Sequence, residues 1–148
     1  MEFPFLLGRI IFGGFFISSG LNHFKNREQY SQYSATKGVP MPDLAVEVTG
    51  AALILGGSSL LLGIKPKWGA AALMGFLVGV SPVMHDFWNI KDPQQREAEM
   101  VNFMKNAALL GGAMALMGVE EPWPASVPIQ QPGTIERARR FVKRPRAA

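Results

Sequence analysis

The sequence predicts an all-α protein, an up-down bundle of four transmembrane helices followed by a Pro-rich linker and a short basic C-terminal tail. Three observations carry this expectation. Four apolar runs are each about 20 residues long, enough to cross a hydrocarbon core of ~30 Å at 1.5 Å per residue. Charge is segregated into the connections and the tail, so a mean hydropathy of only +0.13 averages two different kinds of chain. The connections are short enough to join antiparallel neighbours. With 148 residues, 48% of them apolar and 18% charged, the chain has the size of one domain at the apolar edge of soluble composition. The absence of cysteine excludes disulfides and thiolate metal sites.

The first span, residues 3–24, carries Arg9 as its only charge before a His23-Phe24-Lys25 exit. A signal peptide is the competing reading of this run, but no basic segment precedes it apart from Arg9 and no small-residue cleavage site follows. After a polar connection ending in Pro40-Met41-Pro42, the second span covers 44–64 with Glu47 as its single charge. Pro42 and Asp43 suit a first helical turn, where a missing N–H costs nothing and a carboxylate meets the positive end of the dipole. Lys65-Pro66-Lys67 turns the chain into the third span, 68–88, which has a tryptophan at each end where an aromatic belt lies. The fourth span covers 98–119, with Trp123 just beyond it. A soluble four-helix bundle would need a recurrent polar face, and residues 53–62 and 70–80 have no charged position at all.

Small residues recur in every span, as in Gly75-x-x-x-Gly79 and Ala107-x-x-x-Gly111-x-x-x-Ala115, a spacing that permits close helix contact in a bilayer. Residues 1–121 therefore form the membrane domain, and 122–148 the linker and tail. The linker contains Pro122, Pro124, Pro128 and Pro132. In the tail, Ile135, Ala138, Phe141 and Val142 at near-helical spacing among arginines and lysines fit a short surface helix on anionic lipid headgroups. Beside a membrane anchor this reading is preferred to nucleic-acid binding. Lys65, Lys67 and the tail's basic residues share one side, against Lys25, Arg27, Lys37, Lys91 and Arg96 on the other. This imbalance places both termini in the cytoplasm.

The polar residues within the spans converge. Asn22 and His23 end span one, Glu47 begins span two, His85 and Asp86 end span three, and Asn102, Lys105 and Asn106 occupy the first half of span four. In an up-down bundle all eight fall in one leaflet, the outer one, while the inner halves are nearly dry apart from Arg9. Spacings of three and four gather the groups of each helix into a stripe. Stripes facing each other form an outward-opening polar pocket, and these eight residues are its expected ligand-binding set. Pro82 frees a backbone carbonyl just before His85. Each group also has a plainer role, such as snorkelling for Lys105, a helix-end cap for His23, or a Glu47–Lys105 ion pair. No Glu-x-x-His or His-x-x-x-His pair fixes two metal ligands on one helix. A quinone head group suits the set better, since a histidine and a carboxylate hydrogen-bond its carbonyls and move protons. Two histidines are too few for two bis-His haems, so a redox role needs a partner or a bound cofactor.

Several stretches together resemble the DoxX family of small four-span membrane proteins. They are 7–13 (LGRIIFG), 19–24 (SGLNHF), 37–40 (KGVP), 85–88 (HDFW) and 102–112 (NFMKNAALLGG). The resemblance covers about residues 5–118 and excludes the tail. It implies a bundle in the bacterial or archaeal inner membrane and relation to quinol-oxidase and thiosulfate–quinone oxidoreductase subunits, without implying catalysis by this chain. Two classes of function follow. One is an accessory or scaffold subunit of a redox-associated membrane complex, or a homo-oligomer. The other is a quinone- or small-molecule-binding component using the polar pocket. A transporter is a third class, disfavoured by four spans without a broken helix pair.

Overall fold

The computed structural model describes residues 2–127, and no strand occurs among them. Five helices follow one another: α1 (Glu2–Lys25), α2 (Arg27–Thr36), α3 (Pro42–Leu62), α4 (Pro66–Met84) and α5 (Pro93–Met117), with a 3-10 turn at Phe87–Asn89. Among the described residues three stretches are long and apolar enough to cross a membrane, Phe3–Lys25, Pro42–Leu62 and Pro66–Asn89. The 25-residue α5 is longer than any of the other helices, but Asn102, Lys105 and Asn106 interrupt its apolar run and keep it out of that set. The surface helix expected over 134–146 lies outside the described residues.

Helix boundaries follow local chemistry. Pro42, Pro66 and Pro93 each open a helix, at the position where proline's missing N–H has no intrahelical partner. Asp92 caps α5 by accepting the Gln95 N–H at 2.8 Å. Gly63, at φ 68°, ends α3, with its own N–H and that of Ile64 donating back to Leu60 O and Ser59 O. The third span was expected to run to Trp88, but α4 stops at Met84. Pro82 cannot donate to the carbonyl four residues earlier, and His85 leaves the helical region at φ −119°, ψ 49°.

The polar connection after span one contains a helix, α2. In α2 the helix-forming Arg27, Glu28 and Gln29 are followed by Ser31 and Ser34, which are buried as the helix packs on α3. Gly38, at φ 76°, stops it.

Packing is antiparallel and glycine-mediated. Gly13 of α1 lies opposite Gly57 of α3, and Gly20 opposite Gly50, so closely that a Cβ on Gly57 would sit 2.6 Å from Gly13 O. Gly56 and Gly69 bring α3 against α4 in the same way. Phe16, Leu53, Leu60, Ala70, Leu73 and Leu77 form the core between these helices, joined by Trp123 from beyond α5. The spaced faces read from the sequence are used differently. Among the described residues, no neighbour comes within 4 Å of where a Cβ would sit on Gly75, Gly79 or Gly111, and Gly112 takes the contact with α1 by receiving the Phe12 ring. Large apolar side chains cover the outside, among them Phe3 (73% exposed), Ile11 (63%) and Leu55 (71%). Such a surface suits lipid.

At the end where α1 begins, residues 119–127 fold back over the helices. Arg9, 2% exposed, donates from Nη1 to Pro124 O at 2.9 Å and from Nη2 to Ala125 O at 3.0 Å. Its guanidinium also lies against the Phe5 and Trp123 rings at 6.0 and 5.8 Å. The Val127 N–H completes the strap by donating to Leu62 O at 2.9 Å.

Candidate functional site

The opposite end collects the polar groups. The C-terminal turns of α1 and α4, the N-terminal turn of α3 and the first half of α5 meet there because successive long helices run antiparallel. α2 lies across this end and supplies partners that the sequence reading did not include.

Arg27, at the start of α2, reaches Glu47 at 3.0 Å and Asp43 at 3.9 Å. These side chains are about half exposed, at 49% for Arg27 and 41% for Glu47. Water weakens such a pair.

Lys37, just beyond α2, forms the tighter pair. Its Nζ donates to Asp86 Oδ1 at 2.5 Å, with the two side chains 19% and 23% exposed. Asn89 Nδ2 donates to the other carboxylate oxygen at 3.1 Å. The hydrogen bond to Asp86 is the main cause that holds the Lys37 ammonium above the ordinary lysine value, against a smaller opposing effect of burial. Tyr33 packs its ring 5.6 Å from the same ammonium and donates its hydroxyl to Met84 O, the last residue of α4. An open cleft of about 600 Å³ lies beside this pair. Among the eight expected ligand-binding residues, Asp86 alone lines it.

His85 turns away from Asp86 and pairs with Glu99 on α5, Nδ1 to Oε2 at 2.6 Å. A carboxylate acceptor puts the proton on Nδ1 and leaves Nε2 for another partner. Just after His85 in the chain, Phe87 and Trp88 pack edge to face with each other and with Phe103 of α5, with centroids 5.1 to 5.8 Å apart. His23 is held separately. Its Nδ1–H donates to Ser19 O at 2.8 Å, and its ring meets Tyr30 and Phe76. Asn22 is exposed, and its carbonyl accepts the Asn26 N–H that leads into α2. On α5, Lys105 is exposed and donates to Asn102 at 3.1 Å, while Asn106 is half buried.

The expected residues thus share one end of the molecule but divide among several partners. Glu47 pairs with Arg27, Asp86 with Lys37, His85 with Glu99 and Lys105 with Asn102. Glu99 lies three residues before Asn102 and seven before Asn106, so the same stripe that marked those asparagines also marks it. Lys37 and Arg27 carry no such signal, because their pairing depends on a helix in the connection. Among the described residues no group of three His, Cys, Asp or Glu side chains is placed to hold a metal ion.

The DoxX family model matches residues 5–86. The match ends at Asp86, so the 102–112 stretch on α5 lies beyond it. No curated protein and no solved structure matches the chain.

Proposed function

The chain belongs to the DoxX family, and from that premise we propose that this integral membrane protein is an accessory or scaffold subunit of a redox-associated complex. In this reading α5 is the fourth span of an up-down bundle, residues 122–148 form the linker and basic tail, and the membrane is a bacterial or archaeal inner membrane. Both termini lie in the cytoplasm, where the tail meets anionic lipid. A second copy of the chain or other subunits of the complex are its protein partners.

The observation that carries the reading is the mutual pairing at the polar end. Arg27–Glu47 and Lys37–Asp86 pair opposite charges, and His85 hydrogen-bonds Glu99, so the contacts span four helices. These contacts tie the ends of four helices to one another, which suits a platform for a partner subunit. Purification of the full chain in mild detergent, followed by native mass spectrometry and solvent extraction, tests this. A subunit retains a protein partner in fixed stoichiometry and no quinone. A chain purified alone with one bound quinone contradicts it.

One observation favours the second reading, a quinone-binding redox component. His85, bonded to Glu99 on α5, lies two residues before Phe87 and three before Trp88, whose rings pack on Phe103 of the same α5. A carboxylate-oriented imidazole next to aromatic walls is suited to hydrogen-bond a quinone carbonyl. In that reading the ligand contacts come from Asn22, His23, Glu47, His85, Asp86, Asn102, Lys105 and Asn106. His85→Ala or Glu47→Ala then releases a co-purifying quinone.

A further inference from the structure

The cleft beside Lys37 and Asp86 is formed by the end of α2, the end of α4, the 3-10 turn and the first turn of α5. Its position and lining narrow what it takes. The apolar stretch Pro66–Asn89 ends at this cleft, so the cleft sits where a hydrocarbon core gives way to head groups. One part of the wall is apolar and faces outward, with Val83 39% and Trp88 51% exposed. Lys37, Asp86, Asn89 and Gln95 supply polar groups to the wall, alongside Tyr33, Thr36 and Pro82. The volume of about 600 Å³ is ample for a polar head group and its glycerol linkage.

From this juxtaposition we propose that the cleft binds one phospholipid whose head group joins a phosphate to a primary ammonium, as in phosphatidylethanolamine. The Lys37 ammonium receives the phosphate, assisted by the Gln95 amide. The Asp86 carboxylate accepts from the lipid ammonium, assisted by the Asn89 amide oxygen. Val83 and Trp88 line the route by which the glycerol and acyl chains return to the bilayer, Trp88 as an interfacial anchor.

Charge decides among lipid classes. Lys37 and Asp86 sum to zero, so an anionic head group meets the carboxylate and gains little net attraction. A quaternary ammonium has no N–H to give Asp86. Aromatic faces would be its alternative host, but the Tyr33 ring is already engaged by Lys37 and Trp88 packs against Phe87 and Phe103. A primary ammonium on a phosphate satisfies both members of the pair at once.

The test is native mass spectrometry of the full chain in mild detergent, titrated with phosphatidylethanolamine, phosphatidylcholine or phosphatidylglycerol of matched short acyl chains. Wild type should bind the ethanolamine lipid roughly tenfold more tightly than the choline lipid, the worth of one hydrogen bond to a charged group. Asp86→Asn should abolish that preference and raise the relative affinity for phosphatidylglycerol, because Lys37 is then uncompensated. Gln95→Ala, at an exposed position on the rim, should weaken the ethanolamine lipid severalfold while circular dichroism shows unchanged helicity. This keeps the test valid if Asp86→Asn impairs folding. Equal retention of ethanolamine and choline lipids by wild type overturns the proposal, as does an unchanged preference in both variants. Soluble glycerophosphoethanolamine supplies the other source of the same chemistry. Its failure to displace the lipid at equal concentration supports a membrane ligand, and displacement overturns it in favour of a soluble zwitterion.

Discussion

Replacing Arg9 with methionine tests how the strap of residues 119–127 is held. Methionine keeps much of the length and apolar contact of the arginine stem while removing every donor. Arg9 makes two hydrogen bonds from a charged group, to Pro124 O and Ala125 O, each worth about 1.5–3 kcal/mol. Against this gain stands the buried Nε, which has no partner among the described residues and costs about 1–3 kcal/mol, and the substitution relieves that cost. The difference leaves the strap weaker by about 2–3 kcal/mol, or roughly a hundredfold in its opening equilibrium. Hydrogen exchange at the Val127 amide, which donates to Leu62 O, reads that opening directly. Exchange about a hundredfold faster in the variant is expected, together with greater quenching of the Trp123 indole, which is 2% exposed in the wild type. Unchanged exchange at Val127 with unchanged Trp123 quenching would refute the assignment of Arg9 as the latch.

Two further outcomes follow from distances and charge. In Gly57→Ala the new methyl meets Gly13 O at 2.6 Å and Ile17 N at 3.0 Å, backbone atoms that move only if α1 and α3 separate. A loss of a few kcal/mol is expected, whereas Gly75→Ala, which meets nothing within 4 Å among the described residues, should be neutral or gain up to about 1 kcal/mol of helix propensity. Thermal unfolding in detergent distinguishes the two. The Lys37 pKa is raised in the folded protein by Asp86, so its contribution is fully present below the ordinary lysine value of 10.5 and is lost as pH rises through the higher folded value. The melting temperature of Lys37→Met should therefore lie below wild type by a constant amount near neutrality, and the gap should close in the alkaline range as Lys37 loses its proton and in acid as its partner Asp86 gains one.

Much of the helical architecture was legible because membrane solvation leaves a coarse mark. Runs such as 53–62 have no charged residue, and prolines at 42 and 66 mark helix starts by the same N–H argument that holds for any helix. The ends were less legible. Pro82 signalled a disturbance in span three, but not the pairing of His85 with Glu99, which joins groups fourteen residues apart. α2 has no apolar stripe to announce it, since the side chains it buries on α3 are Ser31 and Ser34. Arg9 stood out as the exception in the nearly dry inner halves of the spans. Its partners could not be read, because they are backbone carbonyls 115 and 116 residues away that carry no side-chain signature. The grouping of polar residues at one end followed from helix direction alone. Their division into separate pairs required α2, which brings Arg27 to Glu47 and Lys37 to Asp86.

The central claim is that α5 crosses the membrane as a fourth span despite Asn102, Lys105 and Asn106. Without that crossing the paired end and the strap would not lie on opposite faces. The natural absence of cysteine allows a direct measurement, the labelling of single-cysteine variants in intact cells with a membrane-impermeant maleimide. Lys91→Cys, before α5, should label from outside, and Glu120→Cys, after it, only once the cells are opened. Labelling of both positions from the same side would contradict the four-span account.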